Sequence, residues 1–205
     1  MLGKFNVRKD RVLIVDFEMT CWEDVPPPGQ KPEIIEIGLS EVDVEALQIK
    51  KTGSYFVKPE YSTVSDYCAA LTGITQKQLD KQGRKLNEVA NTLRKNWGSA
   101  SKAWMAWGND RESIMIDCLS KGIENPFSEA YHNIGQQFSM IAGSTSAIGL
   151  TKAFEIMGIE RIGAAHTAAG DAEDTARLWI NFTQRMRSEL FPLENLQIPE
   201  IPHKL

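Results

Sequence analysis

Short apolar runs separated by polar connections organise this chain. Arg11 to Phe17 contains Val12-Leu13-Ile14-Val15 and is apolar on both faces, which predicts a central strand covered on both sides. Asp24 to Lys31, with Pro26-Pro27-Pro28-Gly29, predicts a loop. Glu33 to Val42 and Ser54 to Lys58 predict two further strands, joined by the polar stretch Asp43 to Gly53. Leu86, Val89, Ala90, Leu93 and Trp97 recur at helical spacing and predict an amphipathic helix. Ala103 to Trp107 predicts a fourth strand. Arg111 to Lys121 predicts a helix opened by Asn109, with Glu112 as the second half of a capping box and Gly122 as the stop. Tyr131 to Gly158 has room for a short strand and two modest helices. A long helix is expected from about Asp171, with Thr175, Leu178, Trp179, Phe182 and Met186 along one face. Beyond Phe191-Pro192 the tail, with Pro199 and Pro202, is expected to be extended or frayed. The order of elements predicts one α/β domain over residues 1–205, a mixed sheet with helices on its faces.

Composition narrows this picture. A chain of 205 residues is long enough for one domain with a buried core and short for two. The longest apolar runs, Val12 to Val15 and Ala103 to Trp107, fall far below the roughly 20 residues that span a bilayer. The opening residues, with Lys4, Arg8, Lys9 and Arg11, are not expected to act as a signal peptide. Cys21, Cys68 and Cys118 have neither CxxC spacing nor an even count, so a reduced, cytoplasmic protein is the expectation. The net charge of −4 excludes a globally basic nucleic-acid coat. Its distribution says more. Residues 16–45 carry nine acids against Lys31 alone, while residues 77–102 carry seven basic residues against Asp80 and Glu88. Most of these side chains are expected to be solvated. The two blocks together also suit a protein that binds metal cations and a polyanion.

Three short constellations carry chemistry. In Asp16-Phe17-Glu18, at the end of the first strand, alternation puts both carboxylates on one face and Phe17 in the opposite core. Alone, such a triplet is weak evidence, because acids often sit where a strand frays. In His166-Thr-Ala-Ala-Gly-Asp171 the acid has a simple reading as the N-cap of the last helix. A cap, however, does not call for a histidine five residues earlier among small residues. His132 and His203 lack such a setting and read as surface or core residues. Trp107-Gly108-Asn109-Asp110 places an acid between a strand and a helix, where ligands of open α/β sheets gather.

Taken in order, Asp-x-Glu, a later Asp after a strand, and His-x4-Asp resemble the DEDDh 3′→5′ exonucleases. The likeness covers roughly residues 10–190. Asp16-Phe-Glu-Met-Thr-Cys-Trp22, Glu33-Ile-Ile-Glu-Ile-Gly38 and Leu71-Thr-Gly-Ile-Thr75 are most similar to the histone-mRNA and small-RNA 3′ exonuclease branch, whose usual wording is DFEATC, EIIE and LTGIT. The resemblance implies a ribonuclease-H-like fold, a mixed five-stranded sheet with helices on both faces. It implies that Asp16, Glu18, Asp110 and Asp171 hold two Mg²⁺ or Mn²⁺ ions, with His166 as general base. Asn109 stands where an aromatic often precedes the third acid, so Glu112 and Asp117 remain alternatives to Asp110. The chemistry is coherent: hard oxygen ligands favour Mg²⁺ or Mn²⁺, and imidazole takes protons near neutrality. The resemblance further implies substrate contacts at Met19, Thr20, Trp22, Leu71, Thr72, Gly73 and Ile74. As plain sequence, Trp22 is equally a loop anchor and Leu71 to Ile74 a turn between helices.

The expected activity is release of nucleoside 5′-monophosphates from single-stranded nucleic acid with a free 3′ end, RNA preferred. A DNA-directed repair or proofreading exonuclease is the first rival. A non-catalytic module that binds nucleic acid or a protein partner is the second.

Overall fold

Five strands form one sheet: β1 (Arg8–Met19), β2 (Ile34–Asp43), β3 (Gln48–Phe56), β4 (Lys102–Ala106) and β5 (Tyr131–Asn133). Their order is β3-β2-β1-β4-β5. The β1–β2 and β2–β3 pairs are antiparallel, while β1–β4 and β4–β5 are parallel, which makes the sheet mixed. This computed structural model describes residues 8–163 and 166–190. The expected tail from Phe191 onward and His203 lie outside the described residues.

Seven helices complete the described chain: α1 (Asp66–Thr72), α2 (Gln76–Gln82), α3 (Leu86–Trp97), α4 (Asp110–Ser120), α5 (Ile134–Ile141), α6 (Leu150–Met157) and α7 (Ala168–Leu190). Alternation along β1 decides which helices cover which face. Leu13 and Val15 pack with Leu86, Val89, Leu93 and Trp97 of α3 and Ile114 and Cys118 of α4. Val12 and Ile14 pack on the other face with Ala176, Trp179 and Ile180 of α7. Both faces of β1 are therefore covered, as its unbroken apolar run requires. Among the described residues no helix is long and apolar enough to cross a membrane.

Four expectations need correction. The polar stretch after Asp43 is not a simple connection, because strand β3 begins at Gln48 and pairs with β2 from Asp43 to Glu36. Its lysines were misleading: this is an edge strand with most of its residues exposed, held by backbone pairing rather than apolar burial. No capping box forms at α4, since Asn109 makes no side-chain cap hydrogen bond and Asp110 is already helical. The last helix starts at Ala168, three residues before Asp171, with Thr167 Oγ1 accepting the Gly170 amide at 3.2 Å. Asp171 is therefore not its N-cap. Finally, the apolar surface of α7 is split: Trp179 faces the sheet, whereas Leu178 and Phe182 pack with Phe138 of α5 and Phe154 of α6.

Candidate active site

Strand alternation delivers the first two acids. Asp16 and Glu18 lie on the α7 side of β1, while Phe17 joins the opposite core and packs against Phe127 at 6.2 Å between ring centroids. Pairing of β1 with β4 is last recorded at Ile14–Met105, so the acidic end of β1 runs on beside β2 alone. Opposite Glu18 in that ladder stands Glu36, and opposite Asp16 stands Gly38.

These two β2 residues seat α7. The Ala168 amide donates to Glu36 Oε2 at 3.0 Å, so a buried carboxylate meets the positive end of the helix. A Cβ on Gly38 would fall 1.9 Å from the Ala168 carbonyl oxygen, which only glycine avoids. With the start of α7 pressed onto β2, Asp171 in its first turn comes over β1. One carboxylate oxygen each from Asp16, Glu18 and Asp171 then lie within 4.8 Å of one another. Asp110, in the first turn of α4, lines the same cleft as Asp16 and Asp171 and accepts the Gly108 amide at 3.2 Å. The alternatives lie elsewhere: Glu112 is exposed, and Asp117 is buried against Lys121.

Electrostatics mark the cluster as strained. Burial, followed by Asp110, Asp171, Glu18 and Glu36, holds the Asp16 carboxyl well above the usual range. Burial and the charges of Asp171, Glu36 and Asp110 push Glu18 up to about 7. Burial raises Asp110 to about 6, against the pull of nearby backbone amides. Converging hard oxygen donors with raised pKa values fit a divalent cation, which removes the repulsion and suits carboxylate ligands.

Asp16, Asp110 and Asp171 line a cleft of about 350 Å³ together with Trp107, Gly108, Gly149, Leu150, Thr151, Arg161 and His166. His166 is exposed and sits in left-handed backbone, φ 59°, with its amide donating to Asp171 Oδ2 at 3.1 Å. Such a conformation is sparsely populated for a non-glycine residue and persists where surrounding contacts fix it. Arg161 donates from Nη2 to Asp171 Oδ1 and from Nε to Asp174 Oδ2, the latter at 2.9 Å.

The seven residues expected to contact substrate lie on two segments, 19–22 just after β1 and 71–74 at the end of α1 and the turn beyond it. The Ser65 hydroxyl donates to the Cys21 carbonyl at 2.6 Å and the Cys68 thiol to the Met19 carbonyl at 3.4 Å, so α1 sits on the segment after β1. Thr20, Thr72 and Ile74 are buried. The Thr20 hydroxyl bonds Lys31 O and Glu33 N; the Thr72 hydroxyl bonds Cys68 O and Ile74 N. Met19 and Trp22 are half-buried, and Leu71 and Gly73 are exposed. The Cys21 thiol, pushed up to about 12 by burial and its bond to Cys68, stays protonated.

Sequence reasoning did not single out Glu36 and Arg161. Glu36 was visible in the Glu33-to-Gly38 motif, though only the β1–β2 register puts it opposite Glu18. Arg161 had no local signal at all.

This arrangement belongs to a known class. The chain matches the RNase_T exonuclease family model over residues 13–179, and it is a member of that exonuclease family. It is similar to 3′-5′ exoribonuclease 1 of Homo sapiens, 28% identical over 221 residues that take in 95% of this chain and 63% of that protein. The 3′-5′ exonuclease Snipper of Drosophila melanogaster is 28% identical over 191 residues, 82% of this chain and 67% of its own. Among solved structures, the nuclease domain of 3′hExo, a DEDDh family member bound to rAMP, matches with a TM-score of 0.77. It is 27% identical, covering 86% of this chain and 92% of that one. The expected ribonuclease-H-like fold is thereby established. The chain spans 63% of the length of the human relative.

Proposed function

We propose that this protein is a divalent-metal-dependent 3′→5′ exonuclease that hydrolyses single-stranded RNA with a free 3′ end to nucleoside 5′-monophosphates. The observation that carries the reading is the convergence of Asp16, Glu18 and Asp171 within 4.8 Å, with Asp110 and His166 on the same cleft. Asp16, Glu18, Asp110 and Asp171 hold two Mg²⁺ or Mn²⁺ ions. When bound, such ions supply a nucleophile at neutral pH and offset charge on the phosphodiester. His166, on the exposed rim of the cleft, takes a proton as general base. The Asp171–His166 amide bond orients the backbone that carries it. Met19, Trp22 and Leu71 offer apolar surface to the terminal nucleotide, and stacking on Trp22 contributes about 1–3 kcal/mol. Thr20, Thr72 and Ile74 fix the two segments that present it. The RNA-named relatives support the choice of RNA over DNA.

The test is a product ladder on matched 5′-labelled RNA and DNA oligonucleotides. Stepwise shortening from the 3′ end is expected with Mg²⁺ or Mn²⁺, faster on RNA, and none with chelator. Alanine at Asp16, Glu18 or Asp171 is expected to leave under about a tenth of the rate, a barrier increase above roughly 1.4 kcal/mol. His166→Asn is expected to slow cleavage by about 10²–10⁴. Intact strands under every metal condition would favour a binding module instead.

A further inference from the structure

Asp174 lies one helical turn beyond Asp171 and its side chain has no exposed surface. It accepts from Arg161 Nε at 2.9 Å, from the Ile162 and Gly163 amides at 3.1 Å each, and from Arg177 Nη1 at 3.1 Å. A Cβ at Gly163 would fall 2.5 Å from Gly170 O, so the segment is pressed against the start of α7. From this anchored base Arg161 reaches in two directions. Nη1 donates to Thr151 Oγ1 at 3.1 Å, and Nη2 to Asp171 Oδ1 on the cleft wall. Among the described residues, Arg161 is the only cation in an ion pair with any of Asp16, Glu18, Asp110 and Asp171.

We infer that Arg161 is a resident counter-ion that competes with the divalent metal for Asp171 and transfers its Nη2 donors to a substrate phosphate once the metal is in place. The inference rests on the metal-dependent nuclease reading. A cation held by Asp171 meets like charge from a guanidinium bonded to the same carboxylate. The guanidinium is not free to leave, because Nε remains on buried Asp174 and Nη1 on Thr151. Its Nη2 hydrogens therefore stay at the cleft wall without a partner, and phosphate oxygens match that planar fork. Metal and phosphate then help each other bind, by equal factors in either order. Arg161 acts here as a positioning residue for charge.

The test is a Mn²⁺ titration by calorimetry, with and without AMP as the phosphate probe. It compares wild type with Arg161→Gln, Arg161→Lys and Arg177→Gln. Arg177 pairs with the same Asp174 but does not touch Asp171 or line the cleft, so it controls for simple loss of positive charge. Without AMP, Arg161→Gln is expected to bind Mn²⁺ at least about fivefold more tightly than wild type, the lower end of ordinary coupling. Arg177→Gln is expected to match wild type. AMP is expected to tighten Mn²⁺ binding in wild type by about fivefold or more, and by less in Arg161→Gln. Arg161→Lys keeps the charge but cannot hold Asp174 and Asp171 together, so it tightens Mn²⁺ by a smaller factor. That variant decides the matter if Arg161→Gln does not fold. Equal or weaker Mn²⁺ binding in the Arg161 variants, equal tightening in Arg177→Gln, or an undiminished AMP effect in Arg161→Gln overturns the inference. In those cases wild-type cleavage leaves the nuclease reading intact. A wild type that neither binds Mn²⁺ nor cleaves overturns both.

Discussion

Two groups of acids, one buried and one half-buried, lie near the start of β2, and they are in opposite electrostatic states. Glu33 is fully buried, and burial alone would raise its pKa. Instead the Glu60 amide at 2.8 Å, Lys121 at 2.9 Å and the Tyr61 amide at 2.9 Å hold it below the ordinary carboxylate value. Asp117 shares the same lysine at 2.8 Å and accepts the Ile34 amide at 3.1 Å. Glu18 is less buried than Glu33, yet it is pushed up to about 7. The difference lies in donors, not depth. One group is closed by a lysine and by backbone amides, whereas in the other Asp16 and Glu18 face more acids and only Asp171 has a side-chain cation, Arg161, among the described residues. Closed groups hold a fold together, and open ones await a cation.

The largest expected effect comes from breaking the closed group. Lys121→Met strands Glu33 and Asp117 in the interior and is expected to lower stability by about 3–5 kcal/mol. Denaturant unfolding measures this, and metal-induced stabilisation should survive wherever the variant remains folded. A loss below about 1 kcal/mol would show that the lysine does not sustain the contrast.

Next in size is the response of the metal-free protein to pH. Raised pKa values in Asp16, Glu18 and Asp110 mean that the folded state holds extra protons. Their contribution is fully present at low pH and is lost as pH rises through about 6 and about 7. Glu33 and Asp174 are lowered, so theirs is present above the ordinary values of 4.5 and 3.8 and is lost as pH falls. Stability without metal should therefore peak between about 4.5 and 6. The raised Glu18 and Asp110 carboxyls both contribute to a decline toward alkaline pH. Melts in chelator from pH 4 to 8 are the check; a curve still rising above about pH 7 would contradict the assignment.

Adding metal should reverse that decline. Mn²⁺ at about a hundred times Kd is expected to stabilise the protein by about 2.7 kcal/mol per site, several degrees in a melting curve. Asp16→Asn should shrink the shift while leaving the metal-free protein at neutral pH no less stable than wild type. An equal shift in both proteins would separate Asp16 from the metal site.

The smallest effect concerns how Asp171 is held. Thr167→Ala removes the local cap of α7 and is expected to cost about 1 kcal/mol. Glu36 still binds the Ala168 amide in this variant, so metal affinity should hold. A marked loss of Mn²⁺ binding would mean that the cap, rather than the strand, sets the position of Asp171.

Much of this was legible in the sequence because the relevant signals are local. The apolar run of β1 and the spacing of Leu86, Val89, Leu93 and Trp97 need no distant partner to be read. The same holds for Asp16 and Glu18, whose shared face follows from alternation. What escaped depends on contacts made across the chain. Strand β3 has exposed lysines at 50 and 51 and exists by pairing with β2. Glu33 and Glu36 looked like part of a solvated acidic block but are buried, because a lysine 88 positions away and an amide 132 positions away receive them. The start of α7 was misplaced for the same reason: Asp171 looks like a cap in sequence, while Thr167 and Glu36 do that work in space.

The seat of α7 on β2 also sets a schedule for synthesis. Residues 36 and 168 are separated by 132 positions, which a ribosome covers in about 7–26 s at 5–20 residues per second. Through nearly all of that interval the growing chain carries Asp16 and Glu18, and later Asp110, but neither His166 nor Asp171. A partly made chain thus presents an incomplete acidic cluster, and the cleft cannot close around it until the last helix docks on β2.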